Sequence, residues 1–337
     1  MILYGRVVEQ SIDHHQVASF KKEVVVTAGV PLAMVRKRLA GAEATRAPVL
    51  LIHGFGQNRY AWHLPSRSFS NYLAAAGFDV FNLDLRGHGR SHKLGGIRSR
   101  GAHCYVEEDL PQAVAEVRAL SGGRPVFLVG HSLGGLVSYA AAPSLVGLVR
   151  GVVTLGSPYH FTRGSMFLGA VRAVNGGLRA LRVPLGNLPL TLQPVGTALR
   201  GMTRVLKGRA HPLPLRAWHE GATEHHVLEE HFRLAFDRAS LEDLRNLFDW
   251  AWERRFGGAR GYAERFERAE DLSLLVIGGS NDELASPRAV RPAYERSRSR
   301  DKTYREYPFG HIDLIMGRDA PRTLWPEVRD WLLARST

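Results

Sequence analysis

The sequence predicts an α/β fold, a mostly parallel sheet flanked by helices, with one mainly helical cap inserted into it. Three observations predict it. Short β-rich runs alternate with helical patterns along most of the chain. The apolar run Pro125 to Val129 leads directly into Gly130-His131-Ser132-Leu133-Gly134, the spacing of a sharp strand-to-helix turn with a serine at its apex. Between about Tyr159 and Phe256 the alternation stops, and Gly176, Gly177, Pro184, Pro189 and Pro194 interrupt the pattern.

Taken in order, Glu23 to Thr27 and Leu32 to Arg38 read as two antiparallel entry strands, followed by a strand at Val49 to Ile52. A helix over Ser68 to Ala76 is stopped by Gly77, and Asp79 to Leu83 forms the next strand. Val106 to Leu120 reads as a helix with Glu107, Glu108 and Asp109 in its first turn, where acids suit the positive end of the dipole, and with Pro111 early enough to be tolerated. Val126 to Val129 and Leu148 to Leu155 are strands, and Leu136 to Ala142 is helical. Within the insertion, Leu241 to Arg255 has a helical pattern. Strand Leu272 to Ile277, a helix near Arg288 to Arg296, strand Lys302 to Tyr307 and a helix from about Arg322 to Ala334 complete the core. The division is therefore core over 1–158, cap over 159–256 and core again over 257–337.

The bulk composition narrows the function. With 45% hydrophobic and 23% charged residues, and no apolar stretch long enough to cross a bilayer, the chain reads as a globular protein. The first residues lack the apolar core and cleavage site of a secretory signal, and Cys104 is the sole cysteine, so the expected home is the cytoplasm. A net charge of +13 raises nucleic acid or an anionic membrane as partners. No nucleic-acid-binding signature is present. Between Glu116 and Glu220 there is no acidic residue and there are twelve Arg or Lys, interleaved with Leu, Val, Met and Phe. That pattern favours peripheral contact with an anionic membrane over nucleic acid, although a basic chain is also simply soluble as a cation.

Chemistry centres on Ser132. A serine hydroxyl is a poor nucleophile unless a histidine takes its proton and an acid orients that histidine, and this turn predicts the chain order serine, acid, histidine. Downstream of the cap, Asp282 follows a strand in the loop Gly278 to Asp282, at the sheet edge where open α/β folds place working groups. Glu283 is its competitor; the shorter Asp282 would fix an imidazole more rigidly. His311, just past the strand Lys302 to Tyr307, is the only histidine beyond Asp282. An oxyanion needs preorganised N–H donors, expected from the backbone of Leu133 and from Phe55 in the loop His53-Gly54-Phe55-Gly56. No cofactor or metal is required by such a site.

Read together, these motifs resemble the α/β-hydrolase superfamily over nearly the whole core, from about residue 23 to the C-terminus. The run Asp84-Leu85-Arg86-Gly87-His88-Gly89-Arg90-Ser91 is similar to the D-x-R-G-H-G-x-S loop of the monoacylglycerol-lipase and esterase branch. In that branch it shapes the oxyanion side of the site, so these residues read as structural, with Arg86 in an ion pair. Leu73, Gly77, Phe78, Asp79 and Val80, leading into Asp84, are also weakly similar to polyhydroxyalkanoate synthases and acid lipases. Those synthases carry cysteine at the turn where this chain has Ser132.

The resemblance implies a serine hydrolase of carboxylic esters, with catalytic residues Ser132, Asp282 and His311 and an oxyanion hole at Phe55 and Leu133. Met166, Phe167, Leu168, Leu178, Leu181 and Leu185 would give the cap an apolar lining suited to a lipidic or other hydrophobic ester substrate. An acyltransferase using the same triad on ester or thioester donors, and a non-catalytic binding protein of this fold, are the alternative readings. Aspartate-nucleophile chemistry of the dehalogenase or epoxide-hydrolase kind is not expected with serine at the turn.

Other features have plainer readings. His219, His225, His226 and His231 with Glu229 and Glu230 read as a solvated polar face, because no zinc-type ligand spacing is completed. His14 and His15 read as surface residues without partners, and Phe248, Trp250 and Trp252 as core or pocket lining.

Overall fold

A computed structural model describes residues 1–42, 46–95, 99–160, 189–191, 194, 196–198, 217–253 and 256–336. Its strands are β1 (Ile2–Ser11), β2 (Val17–Val26), β3 (Ala33–Leu39), β4 (Pro48–Ile52), β5 (Asp79–Asp84), β6 (Val126–His131), β7 (Val149–Leu155), β8 (Pro189–Thr191), β9 (Arg238–Ser240), β10 (Ser273–Gly279) and β11 (Lys302–Tyr307). Nine of them form one sheet in the order β1-β2-β3-β5-β4-β6-β7-β10-β11, and β8 pairs with β9 in a separate ribbon. β1, β2 and β3 run antiparallel into β5, and every pairing from β5 to β11 is parallel.

The central parallel strands β4 and β6 read as apolar runs because helices cover both faces of the sheet. Successive side chains alternate between two cores. Leu50 and Ile52 of β4 join Phe81 and Leu83 of β5 under the helices Leu110–Leu120 and Leu133–Ala141. Val49 and Leu51 join Val80, Phe127 and Val129 under Phe69–Ala75 and Leu324–Leu333. Ser68 caps the helix Phe69–Ala75 by accepting the Asn71 N–H at 3.0 Å, and Gly77, at φ 90°, ends it.

Several elements differ from the sequence reading: the helix expected near Arg288 to Arg296 is two short helices, Pro287–Val290 and Pro292–Arg296, and two further differences have a clear physical reason. β1 was not expected. Its residues are exposed or half-buried on both sides, so it carries no apolar face to betray it, and it is held by ladder bonds to β2. The helix expected from Val106 starts at Ala102 and passes through a π-helical turn, Tyr105–Asp109, before the α-helix Leu110–Leu120. Its three acids therefore serve other partners than the dipole. Asp109 and Glu108 accept from the buried Arg86 guanidinium, both at 2.6 Å, while Glu107 accepts from Tyr262 Oη at 2.6 Å and from Arg260. A buried guanidinium demands a counter-charge, and that demand outweighs a first-turn preference.

The chain leaves the sheet after β7 and re-enters it at β10. The described part of the intervening stretch holds the helices His225–Leu234 and Leu241–Glu253 and the ribbon β8–β9. Arg67 fastens this stretch to the core. Its buried guanidinium donates to both oxygens of Glu224 at 2.8 Å and to the Met316 carbonyl at 2.5 Å. Burial disfavours the Glu224 carboxylate, but the Arg67 hydrogen bonds outweigh it and hold the group at about 2, below the ordinary glutamate value of 4.5. A depressed carboxylate contributes stability that is present above 4.5 and is lost as the pH falls toward about 2. Glu224→Gln should therefore lower unfolding free energy by about 1–3 kcal/mol at neutral pH. In urea titrations at stepwise lower pH the gap between variant and wild type should close as Glu224 protonates; a gap that does not change with pH contradicts the ion-pair account.

Candidate active site

Ser132 sits between β6 and the helix Leu133–Ala141 with φ 52° and ψ −118°, the only non-glycine residue at positive φ among the described residues. The turn is tied to the neighbouring strand by the Ser132 N–H donating to the Leu155 carbonyl at 3.0 Å. Close packing enforces the glycines. A Cβ at Gly130 would collide with the backbone of Gly134 and Gly135, and one at Gly134 would collide with the Ile52 carbonyl and lie 2.7 Å from that of His53. The serine is thus held in a sparsely populated conformation that lifts its side chain off the sheet end.

Asp282 and His311 come from the loops after β10 and β11 and meet directly, Nδ1 of His311 lying 2.7 Å from Oδ2 of Asp282. The other carboxylate oxygen, Oδ1, accepts the N–H groups of Leu284 and Ala285 at 2.9 and 2.7 Å, so the acid is fixed on both sides. Asp282 is buried and Glu283, the alternative acid, is exposed. With Nδ1–H pointed at the carboxylate, Nε2 is the ring nitrogen free to take a proton.

The Phe55 and Leu133 N–H groups donate to no acceptor among the described residues. Both residues line the cavity that also contains Ser132 and His311. The loop carrying Phe55 is anchored by His53. The Leu85 N–H donates to its Nε2 at 3.1 Å, which leaves Nδ1–H to face the Gly54 carbonyl at 2.9 Å. Asp84 and Arg86 are likewise structural: Asp84 accepts from the Arg59 and Arg90 N–H groups and from the Arg59 guanidinium.

The cavity measures about 230 Å³. Besides the residues above, its wall is chiefly apolar, with Leu136, Phe232, Phe236, Leu244, Leu247 and Ile312 contributing. Four of these six come from the stretch between β7 and β10.

The alpha/beta hydrolase family profile matches residues 49–326. The chain belongs to this family. It is 30% identical over 115 residues to an (E)-2-((N-methylformamido)methylene)succinate hydrolase of Acinetobacter baylyi, which is 34% of this chain and 39% of that protein. It is 34% identical over 137 residues to a triacylglycerol lipase of Pseudarthrobacter phenanthrenivorans, 39% of this chain and 38% of that one. The chain thus spans about two fifths of the length of these curated relatives. Among solved structures, a thermostable carboxyl esterase from Bacillus coagulans superposes with a TM-score of 0.67 at 16% identity, covering 94% of this chain and 99% of that one, a likeness of fold.

Within this alpha/beta hydrolase, several site residues escaped sequence reasoning. His131, the variable residue of the serine turn, lies beneath His311 with ring centroids 4.5 Å apart, and its Nε2–H donates to the His311 carbonyl at 3.1 Å. Burial and the neighbouring His311 lower its pKa well below the usual imidazole range, so it stays neutral. His231 was expected on a solvated face but is fully buried, because its helix turns that side toward Gln57 at 3.4 Å. His225 and His226 are exposed as expected. His14 is not without partners: it lies 3.4 Å from Glu224 and its ring is 4.9 Å from that of His226, brought there by the β1–β2 hairpin. Glu230 accepts from the Ser66 N–H and hydroxyl, and no metal-binding group occurs among the described residues. Trp250 is in the core, 5.6 Å from Phe256. The side chains of Phe248 and Trp252, and Met166, Phe167, Leu168, Leu178, Leu181 and Leu185, lie outside the described residues.

The packing of the serine turn makes a direct prediction. Gly134→Ala should cost at least about 2 kcal/mol of stability, because the atoms it meets are backbone of a central strand and cannot swing aside. Chemical denaturation measures this; a variant as stable as wild type means the turn is looser than described.

Proposed function

We propose that this hydrolase cleaves carboxylic esters with hydrophobic acyl chains through an acyl-enzyme on Ser132. The observation that carries the reading is that Ser132 and His311 line one chiefly apolar cavity, with His311 held by Asp282 behind it. His311 Nε2 takes the hydroxyl proton as Ser132 Oγ bonds to the acyl carbon, and Asp282 keeps the imidazole in the accepting tautomer and stabilises the imidazolium. The Phe55 and Leu133 amides receive the oxyanion. The proton passes from His311 to the departing alkoxide, the alcohol leaves, and a water activated by the same nitrogen then attacks the acyl carbon, releasing the free acid and restoring Ser132.

The names of the triacylglycerol lipase and the carboxyl esterase agree with ester chemistry. The apolar wall favours an acyl chain over a polar one, since each buried CH₂ is worth about 0.8 kcal/mol. In this reading residues 159–256 are a cap over the cavity between core segments 1–158 and 257–337. The basic, acid-free stretch between Glu116 and Glu220 would favour peripheral contact with anionic lipid. No helix among the described residues is long and apolar enough to cross a membrane. A cytoplasmic home is part of the same proposal, resting on the single, buried Cys104.

A series of p-nitrophenyl esters of increasing chain length, run on wild type and Ser132→Ala, tests the reading. Turnover should rise beyond acetate, release free acid, and fall by at least about 10⁴-fold in Ser132→Ala. Undiminished turnover in the alanine variant contradicts the proposal.

A further inference from the structure

The loop that carries the Phe55 amide is built against the inserted stretch as if it were one strand of a ribbon. Gln57 and Phe236 form an antiparallel bridge. On one side of it the Asn58 N–H donates to the Ala235 carbonyl at 3.0 Å, and on the other the Asp237 N–H donates to the Gly56 carbonyl at 2.8 Å. Side chains extend the same join. Asn58 Nδ2 donates to the Leu234 carbonyl at 3.0 Å and to Asp237 Oδ2 at 2.9 Å, and Oδ2 also accepts the Gly89 N–H at 2.8 Å. One buried carboxylate thereby pins the oxyanion loop, the Asp84–Ser91 loop and the inserted stretch to a common point.

A second link runs closer to the chemistry. Gln57 Oε1 accepts the Gly54 N–H at 3.2 Å, one residue before Phe55. That commits the Gln57 amide nitrogen to the opposite direction, where it lies 3.4 Å from Nε2 of His231. The amide can only donate, so the imidazole must accept, and a neutral ring is required. Burial supplies this by depressing His231 to about 3.

We infer that His231 and Asp237, both outside the α/β core, are positioning residues that set the aim of the Phe55 amide. This rests on the ester-hydrolase reading given above. Neither side chain is among those that line the cavity, so neither is placed to contact substrate. Their effect falls on the transition state, because an N–H displaced by about 1 Å forfeits much of an oxyanion contact without altering the apolar wall.

The test compares His231→Ala, His231→Gln, Asp237→Ala and Asp237→Asn with wild type and Ser132→Ala on p-nitrophenyl butyrate, alongside binding of an alkyl trifluoromethyl ketone, which adds to an active serine as a tetrahedral oxyanion. The expected result is a kcat about 10–100-fold lower in the alanine variants, with KM within about twofold. Ketone affinity should fall in proportion to kcat, and His231→Gln, whose carbonyl can still accept from Gln57, should recover most of both. If an alanine variant does not fold, its conservative partner and the other site decide the matter. Alanine variants that lose thermal stability but keep wild-type kcat and ketone affinity overturn the inference, provided Ser132→Ala is inactive. Turnover surviving in Ser132→Ala overturns the ester-hydrolase reading instead.

Discussion

The contact on which the site depends is the approach of Gly130 and Gly134 to neighbouring backbone, which leaves room for no Cβ at either place. Between them Ser132 is held at φ 52°, a conformation that costs about 1–3 kcal/mol and persists only because its surroundings over-determine it. Central strands packed on both faces supply that rigidity. β4 and β6 are buried throughout, and the Ile52 carbonyl that Gly134 approaches belongs to the strand whose following loop contains Phe55. One packing event therefore positions the serine and the Phe55 loop relative to each other.

Around this rigid turn, charge is handled by confinement. Asp282 has one oxygen fixed by two amides and gives the other to His311. His53, His131 and His231 are all fully buried, and desolvation lowers each of them, so they act as neutral hydrogen-bonding braces. Buried guanidinium groups are matched in the same way, Arg86 by Asp109 and Arg67 by Glu224. The cavity wall itself is left chiefly apolar, which suits the hydrophobic acyl group of the proposed substrate.

The core and its site motifs were legible because they are local. Strand runs, the Gly-x-Ser-x-Gly turn and the glycines after His53 each declare themselves within a few residues, and chain order alone narrowed the candidate acid and base to Asp282 and His311, which lie 2.7 Å apart. What escaped was set by distant partners. β1 lacks a buried face of its own, the acids of the Val106 helix are taken up by Arg86 and Tyr262, and buried His231 faces Gln57, 174 residues away in sequence. No local period reports such contacts. The same holds for the bridge between Gln57 and Phe236, which joins the Phe55 loop to a segment whose own pattern shows only that it is not part of the sheet.

The most direct measurement treats the intact protein with a fluorophosphonate and locates the adduct by peptide mass spectrometry. A strained serine activated by His311 should carry a single phosphonyl group on the peptide containing Ser132, and His311→Ala should react far more slowly. An adduct on another residue, or no adduct on a folded protein, would contradict the account.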